Sequence, residues 1–237
     1  MEDILFLDIE TIPLAEKLDL LSDDLRKYWL EKAQKIGQEQ SELNDEDFFR
    51  ERGAIFSEFG KIVCISVGVL FKNEKGEQAL KIKSFANDDE KIILENFKQL
   101  VEKFFTTLHH TFCGHNIKEF DIPYICRRMI INGIKLPKQL QFQNKKPWEM
   151  QLLDTMDFWR FGDYKRYTSL KLLTAVLNIP TPKDDIDGSQ VAMVYYNEKN
   201  LQRIVTYCEK DVVATVQVWL RLNSKPIIAK ENILLAE

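Results

Sequence analysis

The pattern of apolar and polar positions predicts strands in the first third of the chain. Ile4 to Leu7 is a short apolar run, which favours a buried strand over a helix. Lys61 to Phe71 is a longer run rich in β-branched residues, and Ala79 to Phe85 follows it after the turn at Asn73 to Gly76. Together the three runs predict an antiparallel meander.

The rest of the chain mixes helical periodicity with short apolar runs, which predicts an α/β fold. Apolar residues recur at helical spacing between positions 92 and 108, after a capping residue at Asp88 or Asp89. A last helix is predicted from about Glu198 to Leu222. The other predicted elements are a strand at Thr111 to Gly114, a helix from Asp121 to Asn132, a strand at Leu152 to Met156 and a helix capped by Thr168.

Residues 14–58 are strongly charged and separate the first strand from the second. Ser22 is a suitable N-cap for a helix in this segment, and Asp45 to Arg52 is predicted to form a second, short helix. We therefore expect residues 1–237 to form one domain, with residues 14–58 as a helical insertion inside it.

Two carboxylates follow the first apolar run, one residue apart. Because the side chains of a strand alternate between its faces, Asp8 and Glu10 are predicted to share a face while Ile9 points into the core. A divalent cation would remove the repulsion between the two acids, and carboxylate oxygens are the ligands that Mg²⁺ and Mn²⁺ prefer. The alternative is a strand that ends in two solvated acids.

Two further acids stand at positions typical of active sites. Asp121 is predicted at a helix N terminus close to the end of a strand, where the helix dipole stabilises a carboxylate. Tyr207 and Asp211 are four residues apart in the last helix and therefore lie on one face of it. The alternatives are a helix cap for Asp121 and, for the pair, a hydrogen-bonded tyrosine beside a surface acid.

Charge is unevenly distributed along the chain. The net charge is −4, but residues 1–60 carry 16 acids and 7 bases whereas residues 127–171 carry 10 bases and 4 acids. A basic face on an acidic protein suits a partner bound through phosphates, although a solvated basic surface has the same composition. Aromatic and basic residues alternate from Phe158 to Tyr167, a mixture that can stack bases and contact phosphates or can cover the edge of a core.

The 4 cysteines are far apart in sequence and form no C-x-x-C pair, so we expect neither a zinc site nor a disulfide framework. The N terminus lacks the features of a signal peptide, and no apolar run is long enough to cross a membrane. We therefore expect a cytoplasmic protein with reduced thiols and no membrane partner.

Three ordered motifs resemble those of a known enzyme family: Phe6 to Thr11, Gly114 to Asp121, and Tyr207 to Asp211. They resemble the motifs of the DEDD, or DnaQ-like, superfamily of 3′–5′ exonucleases, in its tyrosine-bearing branch. The chain is most similar to the proofreading exonuclease domain of family-B DNA polymerases, and the likeness extends to Leu153-Asp154 and to Lys183 to Val191. It implies a ribonuclease-H-like fold whose mixed five-stranded sheet has three antiparallel and two parallel strands and is flanked by helices.

The resemblance also implies an activity and the residues that carry it. The expected activity is 3′–5′ hydrolysis of DNA, preferably single-stranded, with release of nucleoside 5′-monophosphates and with two Mg²⁺ or Mn²⁺ ions as cofactors. The implied metal ligands are Asp8, Glu10, Asp121 and Asp211, and Tyr207 would orient the attacking water. The expected nucleic-acid contacts are Thr11, Ile12 and Asn116 from the motifs, and Arg160, Lys165 and Arg166 from the aromatic and basic stretch.

Three other functions remain as alternatives. The first is the same chemistry on RNA, because a relative in the tyrosine branch trims RNA. The second is a non-catalytic nucleic-acid-binding module on the same fold, against which the complete set of four acids argues. The third is a metal-dependent phosphodiesterase for small molecules, against which the aromatic and basic stretch argues. Repair, proofreading for a separate polymerase and nucleotide salvage all use the leading activity.

Overall fold

The computed structural model describes residues 2–146, 149–150, 152–163, 165, 167–180 and 186–236. Its strands form one sheet in the order β5-β4-β1-β2-β3-β6. Pairs β1–β2 and β2–β3 are antiparallel, whereas β1–β4, β4–β5 and β3–β6 are parallel. The strands are β1 (Ile4–Pro13), β2 (Gly60–Lys72), β3 (Gln78–Ala86), β4 (Thr111–Gly114), β5 (Leu152–Asp154) and β6 (Ile233–Leu235).

The predicted mixed sheet is therefore confirmed, with three antiparallel and two parallel strands in its main part. The short strand β6 extends it at the edge beside β3, and the sequence analysis did not predict it. Helices cover both faces of the sheet. They are α1 (Asp23–Lys35), α2 (Asp45–Arg52), α3 (Glu90–Phe104), α4 (Asp121–Ile131), α5 (Thr155–Arg160), α6 (Leu170–Val176), α7 (Val191–Tyr196) and α8 (Leu201–Leu222).

Strand β1 lies inside the sheet and is buried on both faces. Leu5 and Leu7 pack in the cluster that contains the apolar faces of α3 and α4. Phe6 points the other way and packs edge-on against Trp219 of α8, with ring centroids 5.7 Å apart. A strand that is covered on both faces needs a continuous apolar run, which explains the pattern at the start of the chain.

Asp8 and Glu10 continue the face of Phe6 and so point towards α8. The sequence predicted the two acids at the end of β1, but they lie within the strand. The reason is the antiparallel partner β2, which pairs Ser66 with Asp8 and Cys64 with Glu10 and extends the strand to Pro13. The two acids are thereby enclosed between the sheet and α8.

Helix α8 approaches the sheet closely at Gly68 of β2. A Cβ at that position would lie 2.9 Å from Cγ1 of Val212, so the absence of a side chain permits the approach. The helix begins three residues later than predicted, because the Asn200 side chain caps it by accepting a hydrogen bond from Arg203 N at 3.1 Å.

In the described part of the chain no helix is long and apolar enough to span a bilayer.

Two other predicted boundaries differ from the structure. Helix α6 is capped by Ser169 and not by Thr168, since the Ser169 side chain accepts from Leu172 N at 3.2 Å. The apolar run at residues 152–156 is divided between β5 and α5, because Asp154 ends the strand and caps the helix by accepting from Met156 N.

The insertion has its own apolar cluster, which Trp29 of α1 anchors. The indole is fully buried and lies 5.2 Å, between ring centroids, from both Phe49 and Phe59. Ser22 caps α1 as predicted. The end of the insertion is fixed to the main sheet, because Thr11 Oγ1 donates to Ala54 O at 3.0 Å.

A buried ion pair joins α3, α4 and the insertion. Arg128 Nη2 donates to Glu90 Oε2 at 2.6 Å, and both side chains are 6% exposed. Arg128 Nη1 also donates to Ser57 O at 2.9 Å, and Ile62 N at the start of β2 donates to Glu90 Oε1 at 2.7 Å. This network holds α4, and with it the position of Asp121, against the sheet.

Candidate active site

The site is built on the two acids of β1. One carboxylate oxygen each of Asp8 and Glu10 and the Sγ of Cys208 lie within 4.8 Å of one another. Glu10 is only 7% exposed, and Asp8 is half-buried. The predicted shared face of the two acids is thus observed, with Ile9 buried on the opposite face among core residues.

Helix α4 brings Asp121 to the same point. Asp121 is the first residue of the helix and is 4% exposed. Its carboxylate accepts a hydrogen bond from the backbone N–H of Ile9, which lies between Asp8 and Glu10 on β1. Asp121 does not act as the N-cap, because Phe120 occupies that position and makes no side-chain capping bond.

Helix α8 contributes the fourth acid, Asp211, and Tyr207 one turn before it. The charge of Asp211 raises the pKa values of Asp8, Glu10 and Asp121, so its carboxylate lies near all three. The structure therefore brings Asp121 and Asp211, which are far apart in sequence, close to the two acids of β1.

Burial and mutual repulsion dominate the electrostatics of this cluster. Burial raises the pKa of Asp8 well above its ordinary value, and the charges of Asp211, Glu10 and Asp121 raise it further. Burial also raises the pKa of Glu10, as do Asp211, Cys64 and Asp121. The charges that act most strongly on the two groups are all negative. A divalent cation supplies the charge that the donor set lacks, so the residues fit such an ion.

The metal-free protein is expected to lose stability as the pH rises from about 4 to about 8. Burial and the charge of Asp154 raise the pKa of Asp121 to about 7 from its ordinary 3.8. An acid whose pKa is higher in the folded state destabilises the fold when it ionises. The loss of stability is therefore absent below about pH 4 and complete above about pH 8. The difference in pKa corresponds to a fall of at most about 4 kcal/mol in the free energy of unfolding.

Denaturant unfolding of the metal-free protein between about pH 4 and pH 8 measures this fall. Asp121→Asn should flatten the profile, and saturating Mg²⁺ should remove the fall in the wild type. Glu119→Gln, which neutralises an exposed acid two residues away, is the control and should keep the wild-type slope. A wild-type profile that rises with pH would contradict the described electrostatics.

Asp154 fixes the loop that precedes Asp121. It is 2% exposed and accepts hydrogen bonds from the backbone N–H groups of Asn116 at 2.9 Å and Lys118 at 3.2 Å. Asn116 adopts a left-handed conformation with φ of 63°, which asparagine tolerates better than most residues. Its side-chain Oδ1 is buried and has no hydrogen-bond partner among the described residues.

His115 makes contacts inside the protein that are typical of a structural role. Its Nε2 donates to the carbonyl oxygen of Thr168 at 2.8 Å, and its Nδ1 lies 2.9 Å from Thr155 Oγ1. Burial lowers the pKa of His115, which favours the neutral ring. The histidine thus ties the end of β4 to the segment before α6.

The expected nucleic-acid contacts differ in their surroundings. Arg160 is 10% exposed at its side chain and donates to Asp157 Oδ1 at 3.0 Å, so it is committed to contacts inside the protein. Lys165 is exposed. Ile12 is fully buried and Thr11 is bonded to the insertion, so only their backbone could face a substrate. Arg166 lies outside the described residues.

Two residues of the site were not assigned a role by the sequence analysis. Asp154 has a sequence signal only as part of the likeness to the exonucleases, because its hydrogen bonds to a distant loop leave no local pattern. Cys208 is one of four cysteines that are far apart in sequence. Its position directly after Tyr207 was the available clue, since neighbouring positions on a helix point only about 100° apart.

A comparison with known protein families identifies the family of this chain. Residues 55–226 match a family described as a predicted 3′–5′ exonuclease related to the exonuclease domain of PolB. The chain belongs to this family. The matched range includes Asp121, Tyr207 and Asp211, whereas Asp8 and Glu10 precede it. A search of curated proteins found none that matches the chain.

A solved structure supports the family's fold. The chain is similar to the family B DNA polymerase from the hyperthermophilic archaeon Pyrobaculum calidifontis, with a TM-score of 0.54 and 15% sequence identity. The similarity covers 94% of this chain but only 26% of the polymerase chain. At this identity it shows the fold alone, and it confirms the expected PolB exonuclease-like architecture.

Proposed function

We propose that this protein is a divalent-metal-dependent exonuclease that shortens single-stranded DNA from its 3′ end and releases nucleoside 5′-monophosphates. One observation carries the proposal: four acids from β1, α4 and α8 converge, and burial together with their mutual repulsion raises the pKa of Asp8, Glu10 and Asp121. Membership of a family of predicted 3′–5′ exonucleases supports the same reaction.

Asp8, Glu10, Asp121 and Asp211 would hold two Mg²⁺ or Mn²⁺ ions. When bound, the ions would supply an activated water as nucleophile and would stabilise the charge that develops on the phosphate and on the leaving oxygen. The acids of β1 are fixed by the strand ladder and Asp121 by the backbone of Ile9, so the ligands are held in place before substrate binds.

Tyr207 would position the water and the phosphate group by a hydrogen bond from its hydroxyl. The tyrosine is half-buried, lies one turn before Asp211 and packs against the apolar cluster between α7 and α8, which limits its movement. Asn116 would contact the terminal nucleotide, since its buried Oδ1 has no partner among the described residues and can accept a hydrogen bond from a sugar hydroxyl.

Tyr207→Phe should lower the rate of DNA digestion about ten- to a hundredfold, because it removes one positioning hydrogen bond and keeps the ring packing. Single-turnover digestion measures the rate. The rise in melting temperature caused by Mn²⁺ should be the same in the variant and the wild type, because Tyr207 is not a proposed metal ligand. An unchanged rate would remove Tyr207 from the mechanism.

Lys165→Ala should weaken the digestion of DNA several-fold but leave the hydrolysis of a small nucleotide aryl ester unchanged. The side chain is exposed in the aromatic and basic stretch, where it can contact phosphates beyond the scissile bond. Comparison of kcat/KM for the two substrates measures the effect. Equal losses on both substrates would assign Lys165 to folding or to the reaction itself.

Digestion of 5′-labelled single-stranded DNA and of RNA of the same sequence tests the proposed function. Each substrate is incubated with the protein in Mg²⁺, in Mn²⁺ and in EDTA. A ladder that shortens from the 3′ end on DNA only, and only with metal, supports the proposal. Laddering of RNA would transfer the activity to RNA trimming. No laddering of either substrate by protein that binds the metal would leave a non-catalytic binding module.

A further inference from the structure

A thiol lies among the carboxylates of the candidate active site. Cys208 is fully buried on the sheet-facing side of α8, and its Sγ donates to Oδ2 of Asp8 at 3.4 Å. Ligand atoms of Asp8, Glu10 and Cys208 lie within 4.8 Å of one another. Mg²⁺ and Mn²⁺ favour oxygen ligands, so the proposed reaction gives this thiol no task.

Glu10 provides an independent indication of a ligand at this point. Glu10 is only 7% exposed, and its carboxylate points into the same group of atoms. Among the described residues no hydrogen bond compensates for the burial of its carboxylate, and every charge acting on it is of its own sign. A carboxylate in such surroundings is costly unless a cation binds it.

The observed spacing suits a tetrahedral cation that accepts sulfur. Zinc bonds to sulfur at about 2.3 Å and to carboxylate oxygen at about 2.0–2.2 Å, which places neighbouring S and O ligands about 3.5 Å apart. The distance between Cys208 Sγ and Asp8 Oδ2 is 3.4 Å. This pair can therefore bind one zinc ion with little movement, and Glu10 can supply a third ligand.

We propose that Asp8, Glu10 and Cys208 form a binding site for Zn²⁺ or another thiophilic divalent cation. On binding, the S–H bond of Cys208 breaks, the sulfur bonds to the metal and the proton passes to solvent, so no oxidant or reductant is needed. Cys64, the cross-strand partner of Glu10, lies beside Cys208 and is not one of the proposed ligands.

Zinc at this site inhibits the enzyme. It occupies two of the carboxylates that the hard cations need, and sites with sulfur ligands favour zinc strongly over Mg²⁺ and Mn²⁺. This regulatory consequence rests on the proposed function, whereas the binding of zinc does not. Zinc would therefore act as a competitor of the activating metal, and its effect would depend on Cys208.

The test is a titration of the metal-free, reduced protein with Cd²⁺, whose bond to a thiolate gives an ultraviolet charge-transfer band, followed by displacement with Zn²⁺. We compare the wild type with Cys208→Ser and Cys208→Ala, with Cys64→Ser, and with Cys126→Ser as the matched control. The Cys126 thiol donates to Leu140 O, away from the acids. Circular dichroism verifies that each variant is folded.

The expected result is a band for one thiolate in the wild type, Cys64→Ser and Cys126→Ser, and none in the folded Cys208 variants. Zinc should also inhibit DNA digestion in excess Mg²⁺, at a concentration at least about tenfold higher for Cys208→Ser than for the wild type. A band that persists in a folded Cys208 variant, or no band in the wild type, overturns the inference. A band in a wild-type protein that lacks nuclease activity supports the zinc site and contradicts the proposed function. Mg²⁺-dependent digestion by a wild-type protein that gives no band supports the proposed function and contradicts the zinc site.

Discussion

Asp8→Asn is expected to lower the rate of DNA digestion by at least about a thousandfold, because it removes a carboxylate from the centre of the proposed metal site. The charges of Asp211, Glu10 and Asp121 all act on Asp8, so its replacement removes repulsion that the metal-free protein contains. The metal-free variant should therefore be as stable as the wild type or more stable. Single-turnover digestion and denaturant unfolding measure the two effects.

Glu209→Gln is the matched control for this experiment. Glu209 lies between Tyr207 and Asp211 on α8, but its Oε1 accepts from Ser84 Oγ at 2.8 Å, outside the cluster of acids. The control variant should retain the wild-type rate within about threefold. A metal-free Asp8→Asn protein that is markedly less stable than the wild type would show that the acids form a structural network, and the proposed metal site would be wrong.

Glu90→Ala is expected to cost about 3–5 kcal/mol of unfolding free energy, the largest loss of stability that we expect from one substitution. Arg128 is buried with Glu90, and without its partner the guanidinium would remain uncompensated inside the protein. The backbone N–H of Ile62 would lose its acceptor as well. Denaturant unfolding at neutral pH, in the presence of Mg²⁺, gives the change in free energy.

The ion pair between Arg203 and Glu198 is a control with the same N–O distance as the buried pair. Its shortest N–O distance is 2.6 Å, the same as in the buried pair, but the two side chains are 28% and 36% exposed. Glu198→Ala should therefore cost less than about 1 kcal/mol. Similar losses of unfolding free energy for Glu90→Ala and Glu198→Ala would show that burial does not increase the contribution of the Arg128–Glu90 pair to stability.

The order of the main elements could be predicted because each has a local signal. The apolar run at Ile4 to Leu7 fits a strand that is covered on both faces, and the four-residue spacing of Tyr207 and Asp211 places them on one face of α8. The convergence of Asp8, Asp121 and Asp211 needed three motifs taken together, since each motif alone had a structural explanation.

The remainder depends on contacts between residues that are distant in sequence. Glu90 and Arg128 are 38 positions apart, and no pattern along the chain marks them as partners. Cys64 and Cys208 lack the spacing of a zinc motif, yet the pairing of β1 with β2 and the packing of α8 bring both thiols beside Glu10. The position of Asp8 within β1 depends on the length of its partner strand, which the residues around Asp8 do not encode.

Release of the terminal nucleotide from DNA tests the central claim most directly. One oligonucleotide carries its label in the 3′-terminal nucleotide and a second carries it at the 5′ end, and both are incubated with the wild type and with Asp8→Asn. The account predicts that in Mg²⁺ the wild type releases the 3′ label first, as a nucleoside 5′-monophosphate, and that EDTA or Asp8→Asn stops this release. Release of the 5′ label first, or equal release by Asp8→Asn, would contradict it.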